Sequence, residues 1–453
     1  MDDNPLLRIR VPVPFDRIRA SHVEPALLAL IGEARRRLAA IGADARPRTY
    51  ENTLAELDAL TAPLDHALEV VRHLESVATC PELREAYNKV QPQASAFYAS
   101  IPLDEALWRA LQAYAASEEA ARLEGVRRRF LLRTLDSFRR HGAALPADKK
   151  AQLEQIEFEL AEITTRFAQN VLDSTNAFEL IFTDASRLAG LPPSAVDVAR
   201  ESAAQKGVAG WRFTLHQPSY TALMTYLEDG DVRRQVYIAY HSRAVAEPWD
   251  NRPLVARILD LRRRKARLLG YPDFAALALE DRMARTPARV REFLEDLRRR
   301  TEPAFRREAA ELTAFRRERE GGAAEPPAAW DLAYYAEKLR AARYGFEEEA
   351  LRPYFPLEQV VNGMFRLAER LFGIRIEPRD DAPVWDPSVR YYAIRDEDGS
   401  LLGAFYADWF PRENKRGGAW MTPLVTGGRA AGWLPHVGAI CGNVTPPVEG
   451  RPC

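Results

Sequence analysis

Apolar residues recur at helical spacing through most of residues 22–300, and this periodicity restricts the fold more than any other feature. The clearest case is the segment 148–172, whose apolar residues follow one another at steps of three and four and so share one helix face. They are Leu153, Ile156, Leu160, Ile163, Phe167 and Val171. Pro146 lies just before them, where its fixed φ suits a helix start. The pattern predicts a mainly α protein with a large multi-helical body.

A second helix is predicted to begin at Thr286-Pro287. Thr286 can accept hydrogen bonds from the first turn as an N-cap, and Pro287 can occupy that turn because its missing N–H is not needed there. An apolar stripe follows, and we expect it to be buried. Its members are Val290, Phe293, Leu294 and Leu297.

The character of the chain changes after about residue 388. The stretches 389–394 and 401–406 are rich in aromatic and branched residues, and Asp398-Gly399 between them is a hairpin signal because glycine tolerates a positive φ. Residues 419–421 and 437–441 are further strand candidates, and 211–216 alternate well enough to form a short strand. We therefore predict a small β-sheet near the C-terminus.

A chain of 453 residues is too long for one compact core, so we expect two or three packing units. Gly321, Gly322, Pro326 and Pro327 mark a clear loop. We divide the chain into an N-terminal helical region (1–145), a long-helix middle region (146–320) and a region with a helix and the small sheet (321–453).

Composition excludes several functional classes. The formal net charge of −1 gives no overall basic field for nucleic acid, and the arginine runs at 127–129, 262–264 and 298–300 lie within helical patterns. No stretch approaches the length of a membrane span. Three cysteines and an N-terminus that lacks the features of a signal peptide fit a cytoplasmic protein. We expect no nucleic-acid or membrane partner.

No residue cluster in the chain has the spacing of a metal site. His66, Glu69 and His73 share a helix face, but the two histidines are about 10 Å apart along the axis, too far to hold one zinc ion. We expect a solvated or packed helix face there.

Cys441 lies close to His436 in sequence, but no activated-cysteine motif surrounds it, and a buried strand cysteine is expected. Tyr334 and Tyr335 are either core residues or part of a channel lining.

A series of short strings along the chain resembles one family of enzymes. Near the C-terminus these are Asp331-Leu-Ala-Tyr-Tyr335, Leu351-Arg-Pro-Tyr-Phe-Pro356, Gly403-Ala-Phe-Tyr-Ala-Asp408, Asn414-Lys-Arg-Gly-Gly-Ala-Trp-Met421 and Asn443-Val-Thr-Pro-Pro447. Earlier strings include His73-Leu-Glu-Ser-Val77, Asn170-Val-Leu-Asp-Ser-Thr-Asn176 and Leu268-Leu-Gly-Tyr271. Their shared order resembles the thimet oligopeptidase and oligopeptidase A family of zinc metallopeptidases, with the bacterial oligopeptidase A and dipeptidyl carboxypeptidase subgroup as the nearest match.

The resemblance implies a helical, two-lobed enzyme that cleaves short peptides in a deep channel. In that family a zinc ion is held by His-Glu-x-x-His and a later Glu, and the Glu of the motif is the general base. No His-Glu-x-x-His occurs in residues 1–453. We therefore expect a partial channel peptidase that is truncated or split before the motif, binds no zinc and is inactive alone. Its expected partners are short peptides and a missing C-terminal portion that carries the zinc.

Two alternatives from other classes stay open: a non-catalytic helical module that binds peptides, and a helical scaffold without a peptide role. We expect no catalytic and no metal-binding residue in this chain. The predicted substrate-binding residues are Gly417, Gly418, Ala419 and Trp420, because the resemblance implies that an edge strand at this place pairs with the substrate backbone. The residues alone are equally compatible with a Gly-Gly turn between strands.

Overall fold

The structure is a computed structural model that describes residues 4–345, 348–428 and 434–447. Cys453 lies outside the described residues. The helices within these ranges are α1 (Ala20–Ala43), α2 (Glu56–Leu60), α3 (Ala62–Val77), α4 (Pro81–Ser100), α5 (Glu105–Ala115), α6 (Glu118–Ala121), α7 (Gly125–Arg140), α8 (Ala147–Asn176), α9 (Pro193–Gln205), α10 (Gln217–Tyr226), α11 (Gly230–His241), α12 (Arg252–Leu268), α13 (Phe274–Leu279), α14 (Pro287–Glu320), α15 (Leu332–Tyr344) and α16 (Leu357–Phe372). Among them, no helix has both the length and the apolar character that crossing a bilayer requires.

The strands of the described residues form two separate sheets, and the predicted class of a helical body with a small C-terminal sheet is confirmed. The strands are β1 (Glu179–Phe182), β2 (Trp211–Thr214), β3 (Arg375–Pro378), β4 (Arg390–Arg395), β5 (Leu401–Asp408), β6 (Trp420–Val425) and β7 (His436–Cys441). β1 and β2 pair as an antiparallel ribbon. The C-terminal sheet has the order β3-β4-β5-β7-β6, and only the β5–β7 pair in it is parallel.

The β4–β5 hairpin turns at the predicted Asp398-Gly399, where Gly399 has a φ of +82°. Because side chains alternate across a strand, its register places two aromatic pairs on opposite faces of the sheet. Tyr391 contacts Tyr406 on one face, with ring centres 4.7 Å apart, and Tyr392 stacks on Phe405 at 5.1 Å on the other. Tyr391 and Tyr406 are buried, whereas Tyr392 and Phe405 are half-buried.

Each face of the sheet is covered by a different part of the chain. On the Tyr392 face, α16 packs through Phe365, whose ring centre lies 4.9 Å from that of Tyr392. On the Tyr406 face, the ring of Phe15 lies 5.2 Å away, and the Tyr406 hydroxyl accepts a hydrogen bond from Val13 N at 3.1 Å. The sheet thus shares one hydrophobic core with the N-terminal helices, although hundreds of residues separate them.

A second hydrophobic core lies in the middle of the chain. It forms around β1, β2, α10 and α11, with Phe182, Phe213, Leu223 and Val236 at its centre. The long helix α8 runs beside α4 of the first core and α12, so it connects the two halves of the molecule. The division into the regions 1–145, 146–320 and 321–453 stays a prediction.

The helix predictions are confirmed in position, but one prediction of burial is wrong. α8 contains the predicted segment 148–172 and buries Leu153 and Ile156 on the expected face. α14 begins as predicted, with the Thr286 side chain accepting from Arg289 N and Pro287 in the first turn. Its stripe is not buried, because no described element covers that face; Phe293, Leu294 and Leu297 are 63%, 55% and 47% exposed.

Candidate functional site

The predicted substrate-binding residues lie at the start of the outermost strand of the C-terminal sheet. Trp420 is the first residue of β6, and residues 417–419 form the exposed bend before it. Gly418 has a φ of +105°, which residues with a Cβ rarely adopt. A Cβ built on Gly417 or Gly418 would meet no atom within 4 Å, so the space above the bend is open. The segment therefore combines both sequence interpretations: a glycine bend that leads into an edge strand.

The outer edge of β6 is partly covered. Its pairing with β7 is irregular between Pro423 and Val425. At this bulge the carbonyl oxygen of Leu424 lies 2.9 Å from Nδ1 of His66 on α3. The side chain of His66 is buried. Burial lowers the pKa of His66, and the bond to Leu424 opposes that shift. The edge is covered near Leu424 by this contact and is exposed near residues 417–419.

A buried ionic cluster lies beneath the bend. The carboxylate of Asp408, at the end of β5, accepts hydrogen bonds from Arg412 at 2.7 and 2.8 Å, from Lys415 at 2.9 Å and from Trp385 Nε1 at 3.0 Å. Burial alone would raise the pKa of Asp408, but the bonds from Arg412 and Lys415 outweigh it and lower that pKa. The cluster fixes the loop that joins β5 to β6.

The sequence analysis did not predict this cluster, although the sequence contains a pattern that indicates it. Asp408 ends an apolar strand, and two basic residues, Arg412 and Lys415, follow four and seven positions later. A charged residue at the end of a buried strand needs such partners nearby.

A cavity of about 1050 Å³ opens beside the same loop. Because β5 and β7 are parallel, their carboxyl ends meet at one edge of the sheet, and the segments that leave them form one side of the cavity. These segments are 411–413 and 443–446. The opposite side comes from the middle core, through α9, β2 and α10, and Leu351, Arg352 and Phe355 complete the lining. The cavity lies between the two hydrophobic cores and reaches the loop that leads to Gly417.

Charged side chains connect the two sides of this cavity. Arg212, which is buried in β2, donates to Glu179 and to Glu413 at 2.8 Å each, and Lys206 donates to the other oxygen of Glu413 at 2.8 Å. Burial works to raise the pKa of Glu413, but Lys206 and Arg212 overcome it and lower that pKa. His216, just before α10, donates a hydrogen bond from Nε2 to Oδ1 of Asn176 at 3.1 Å, and burial lowers the pKa of this histidine.

The two histidines considered as a metal pair are packed in the core of the molecule. His66 contacts Leu424, and the ring of His73 lies 4.3 Å from that of Trp385 and 6.0 Å from that of Phe15. Burial lowers the pKa of His73 to about 3, and neither ring nitrogen has a hydrogen-bond partner. Of the two faces that the sequence allowed, solvated or packed, the structure has the packed one. Within the described ranges, no three His, Cys, Asp or Glu side chains come together as metal ligands.

Cys441 is a buried strand cysteine, as expected. Burial, together with the nearby charge of Asp408, raises the pKa of its thiol to about 12, so the thiolate is suppressed at neutral pH. His436 is exposed at the opposite end of β7. The pair is therefore not an activated nucleophile and its base.

Tyr334 and Tyr335, which the sequence allows as either core or channel-lining residues, lie in different environments. Tyr335 is buried in the core, and its hydroxyl bonds to Glu320 at the end of α14. Tyr334 is half-buried, and its ring lies 4.1 Å from the guanidinium carbon of Arg233. Neither residue lines the 1050 Å³ cavity.

Comparison with known proteins gives matches along nearly the whole chain. Residues 223–453 match the family described as "Peptidase family M3", and residues 27–150 match "Neurolysin/Thimet oligopeptidase, N-terminal domain". Oligopeptidase A of Escherichia coli is 36% identical over 456 residues, which cover 99% of this chain and 67% of that protein. Dipeptidyl carboxypeptidase of Salmonella typhimurium is 32% identical over 470 residues, or 100% of this chain and 67% of that protein.

A solved structure shares the fold. "PZ peptidase A with inhibitor 2" superposes with a TM-score of 0.51 at 14% identity, over 95% of this chain and 61% of that one. The chain spans about two thirds of the length of these relatives.

Proposed function

We propose that this chain, which belongs to peptidase family M3, provides one side of a channel in which short peptides bind and are cleaved. The resemblance drawn from the sequence strings is confirmed at the level of the family. Cleavage of short peptides, either internally or by removal of dipeptides, is proposed as the activity in which this chain takes part.

One observation carries the proposal: the loop that leads into the exposed start of an edge strand also forms, through residues 411–413, one side of a cavity of about 1050 Å³. An edge strand presents main-chain N–H and C=O groups, to which an extended peptide can add as a further strand. Main-chain pairing does not depend on the sequence of the peptide, and the adjacent cavity has room for several of its side chains. Gly417, Gly418, Ala419 and Trp420 are therefore proposed to contact the substrate backbone.

The zinc ion that the family implies does not fit the residues described here. Within residues 4–345, 348–428 and 434–447 no ligand set comes together, His66 is engaged with Leu424, and His73 is enclosed by aromatic rings. No hydrolytic step is therefore assigned to side chains of this chain. We propose that residues 1–453, which contain no His-Glu-x-x-His, bind no zinc in a fixed ratio and do not hydrolyse peptides alone. Truncation before the motif stays a prediction.

A cytoplasmic location is part of the proposal. Cys80 is exposed and Cys441 is buried without a disulfide, which suits a reducing compartment. The partners proposed are short peptides and a C-terminal portion that carries the zinc.

Peptide binding by the purified chain tests the proposal. Fluorescently labelled peptides of about ten residues with scrambled sequences should bind with similar affinities, as measured by anisotropy. The same peptides with alternate backbone nitrogens methylated should bind at least about tenfold more weakly, because they cannot complete a strand ladder. Equal binding of methylated and unmethylated peptides would exclude strand pairing. No binding of either set would favour the scaffold alternative.

Zinc content and turnover test the second part. Elemental analysis after dialysis should find no zinc in a fixed ratio, and a quenched fluorogenic peptide should not be cleaved. One zinc per chain that is lost with His66→Ala, or turnover that a chelator stops, would contradict the proposal.

A further inference from the structure

The ammonium group of Lys415 is surrounded by oxygens that belong to three different segments. Its Nζ lies 2.9 Å from Oδ1 and 2.9 Å from the carbonyl oxygen of Asp408, 2.8 Å from Phe410 O and 2.9 Å from Gly442 O. The side chain is 1% exposed. An ammonium group has three hydrogens, so these four acceptors leave no donor for water. One side chain thus joins the end of β5, the loop after it and the segment after β7.

The residues on both sides of Lys415 are fixed to the end of α3. Arg416 N donates to Ser76 O at 2.7 Å, and Asn414 O accepts from Thr79 N at 3.1 Å. The guanidinium carbon of Arg416 lies 4.5 Å from the ring centre of Trp420, over its face. Hydrogen bonds therefore fix the loop up to residue 416, and the contact with Arg416 fixes Trp420. Between these two points, residues 417–419 are exposed.

A second cation, Arg412, also lies beside the carboxylate of Asp408. Arg412 already donates two hydrogen bonds to that carboxylate, and Trp385 donates a third. Three of the four oxygens around the ammonium are main-chain carbonyls, which carry no net charge. The contacts of Lys415 therefore constrain the course of the backbone more than they balance charge.

We propose that Lys415 is a positioning residue that holds the bend 417–419 and Trp420 in the conformation that receives a peptide backbone. The inference rests on the proposed function in naming the peptide as the ligand. A segment that is ordered before binding loses less conformational entropy when a peptide pairs with it. Lys415 itself is buried and does not touch the peptide.

Two variants separate positioning from charge balance. Lys415→Met removes the ammonium and leaves two carboxylates, Asp408 and Asp386, to share one cation, Arg412. Asp408→Asn/Lys415→Met removes both charges of the buried pair and leaves Arg412 with Asp386; a buried pair replaced as a pair costs much less stability than a pair with one member lost. Lys265→Met is the control. Lys265 likewise pairs with a carboxylate, that of Glu157, in a half-buried site away from the bend. Each protein is measured by urea unfolding, by hydrogen exchange of residues 414–425 without ligand, and by anisotropy with the labelled peptides.

Both Lys415 variants should exchange at least about tenfold faster at residues 416–420 and bind the peptides about tenfold more weakly, while the double variant recovers most of the stability. Lys265→Met should match the parent in exchange and binding. A double variant that recovers stability together with the parent's exchange and affinity would overturn the proposal, since Lys415 would then serve charge balance alone. If the parent binds no peptide, the proposed function fails, and unchanged exchange at 416–420 in the double variant would still refute positioning.

Discussion

Arg212 and Glu413 are 201 positions apart in sequence, and their side chains meet at 2.8 Å across the cavity. Arg212 is buried in the middle core, whereas Glu413 is half-exposed on the loop that leads to the glycine bend. Asn176 Nδ2 adds a hydrogen bond to the carbonyl oxygen of Glu413 at 2.8 Å. The loop that supports the proposed peptide strand is thus attached at Glu413 to the middle of the chain, by both its side chain and its main chain.

Glu413→Gln should loosen this attachment with little effect on stability. The carboxylate is half-exposed, so its ion pairs with Arg212 and Lys206 stabilise the fold by less than about 1 kcal/mol. Hydrogen exchange of residues 409–416 should become faster, and the difference from the parent should shrink at high salt, which screens the ion pairs. Glu154→Gln, on the exposed side of α8, is the control and should leave that exchange unchanged. Identical exchange in all three proteins would show that the main-chain contact with Asn176 suffices.

Acid should destabilise the protein through His73. The pKa of His73 is about 3 in the folded chain and near 6.5 in the unfolded chain, because burial disfavours the charged ring. The negative charge of Asp408 opposes this shift, and the positive charges of Lys415 and Arg412 add to it. Between these two values the unfolded chain binds the proton and the folded chain does not. Stability is therefore full above about pH 6.5 and falls towards pH 3, by at most about 1.4 kcal/mol per pH unit for this group.

His73→Phe should flatten this pH dependence of the free energy of unfolding. The phenyl ring keeps the contacts with Trp385 and Phe15 and removes two ring nitrogens that have no hydrogen-bond partner, so stability at pH 7 should not fall by more than about 1 kcal/mol. Urea unfolding at pH 7, 6, 5 and 4 is the measurement. His141→Gln, at an exposed helix end, is the control and should keep the parent's slope. An equal slope in His73→Phe would place the acid sensitivity elsewhere.

The positions of helices and strands could be predicted from the sequence because they depend on local signals. The period of the apolar residues in 148–172, the cap at Thr286 and the glycine at 399 each fix the backbone where they occur. Whether an apolar face is covered depends on distant segments. The stripe of α14 therefore has the predicted spacing and is nevertheless exposed, while the C-terminal sheet shares a core with Phe15 and α3.

The site was predictable only in part, for the same physical reason. The string around Gly417 and Gly418 was compatible with an edge strand or with a Gly-Gly turn, and the structure has an exposed bend at 417–419 that leads into the edge strand β6. The contacts that fix this bend come from Asp408, Ser76 and Gly442, which only the folded chain brings together. No local sequence pattern indicates a contact such as that between His66 and Leu424, which are 358 positions apart.

Asp408→Asn should be strongly destabilising. It leaves the buried Lys415 without a carboxylate and Arg412 with Asp386 alone, and removing one partner of a buried ionic pair typically costs about 3–5 kcal/mol. The free energy of unfolding in urea measures the loss. Asp381→Asn is the control, because Asp381 pairs with Arg379 on the surface, where about 0–1 kcal/mol is expected. Equal losses in the two variants would mean that the buried cluster adds no more than a surface pair.

The exposed apolar face of α16 should cause the isolated chain to self-associate. Val360, Met364, Leu367 and Leu371 follow one another along this face and are all exposed, and Leu371 is 65% exposed. Contiguous apolar patches of this kind promote association in water. Leu367→Lys should shift the sedimentation velocity distribution of a concentrated sample towards the monomer. Asn362→Lys adds the same charge to the polar side of the helix, so it controls for net charge. A monomeric parent protein at all concentrations would contradict the prediction.

The two glycines of the bend should respond differently to an added methyl group. At Gly417 the backbone is compatible with alanine and the surroundings are open, so Gly417→Ala should leave the free energy of unfolding unchanged. At Gly418 a φ of +105° makes alanine unfavourable by about 1–2 kcal/mol, although no atom is in the way. Gly322→Ala, in an open loop without a positive φ, is the control and should change neither stability nor binding.

Peptide binding then shows whether a substrate backbone approaches the bend. If it does, Gly417→Ala should weaken binding of the labelled peptides about tenfold at unchanged stability, because the new methyl group occupies the space that the peptide backbone needs. Gly418→Ala should weaken binding and stability together, because it alters the bend itself. Anisotropy titrations and urea unfolding on the same preparations separate the two effects. A parent-like affinity in Gly417→Ala would mean that no peptide passes close to residue 417, and the segment would then be a structural turn that leads into β6.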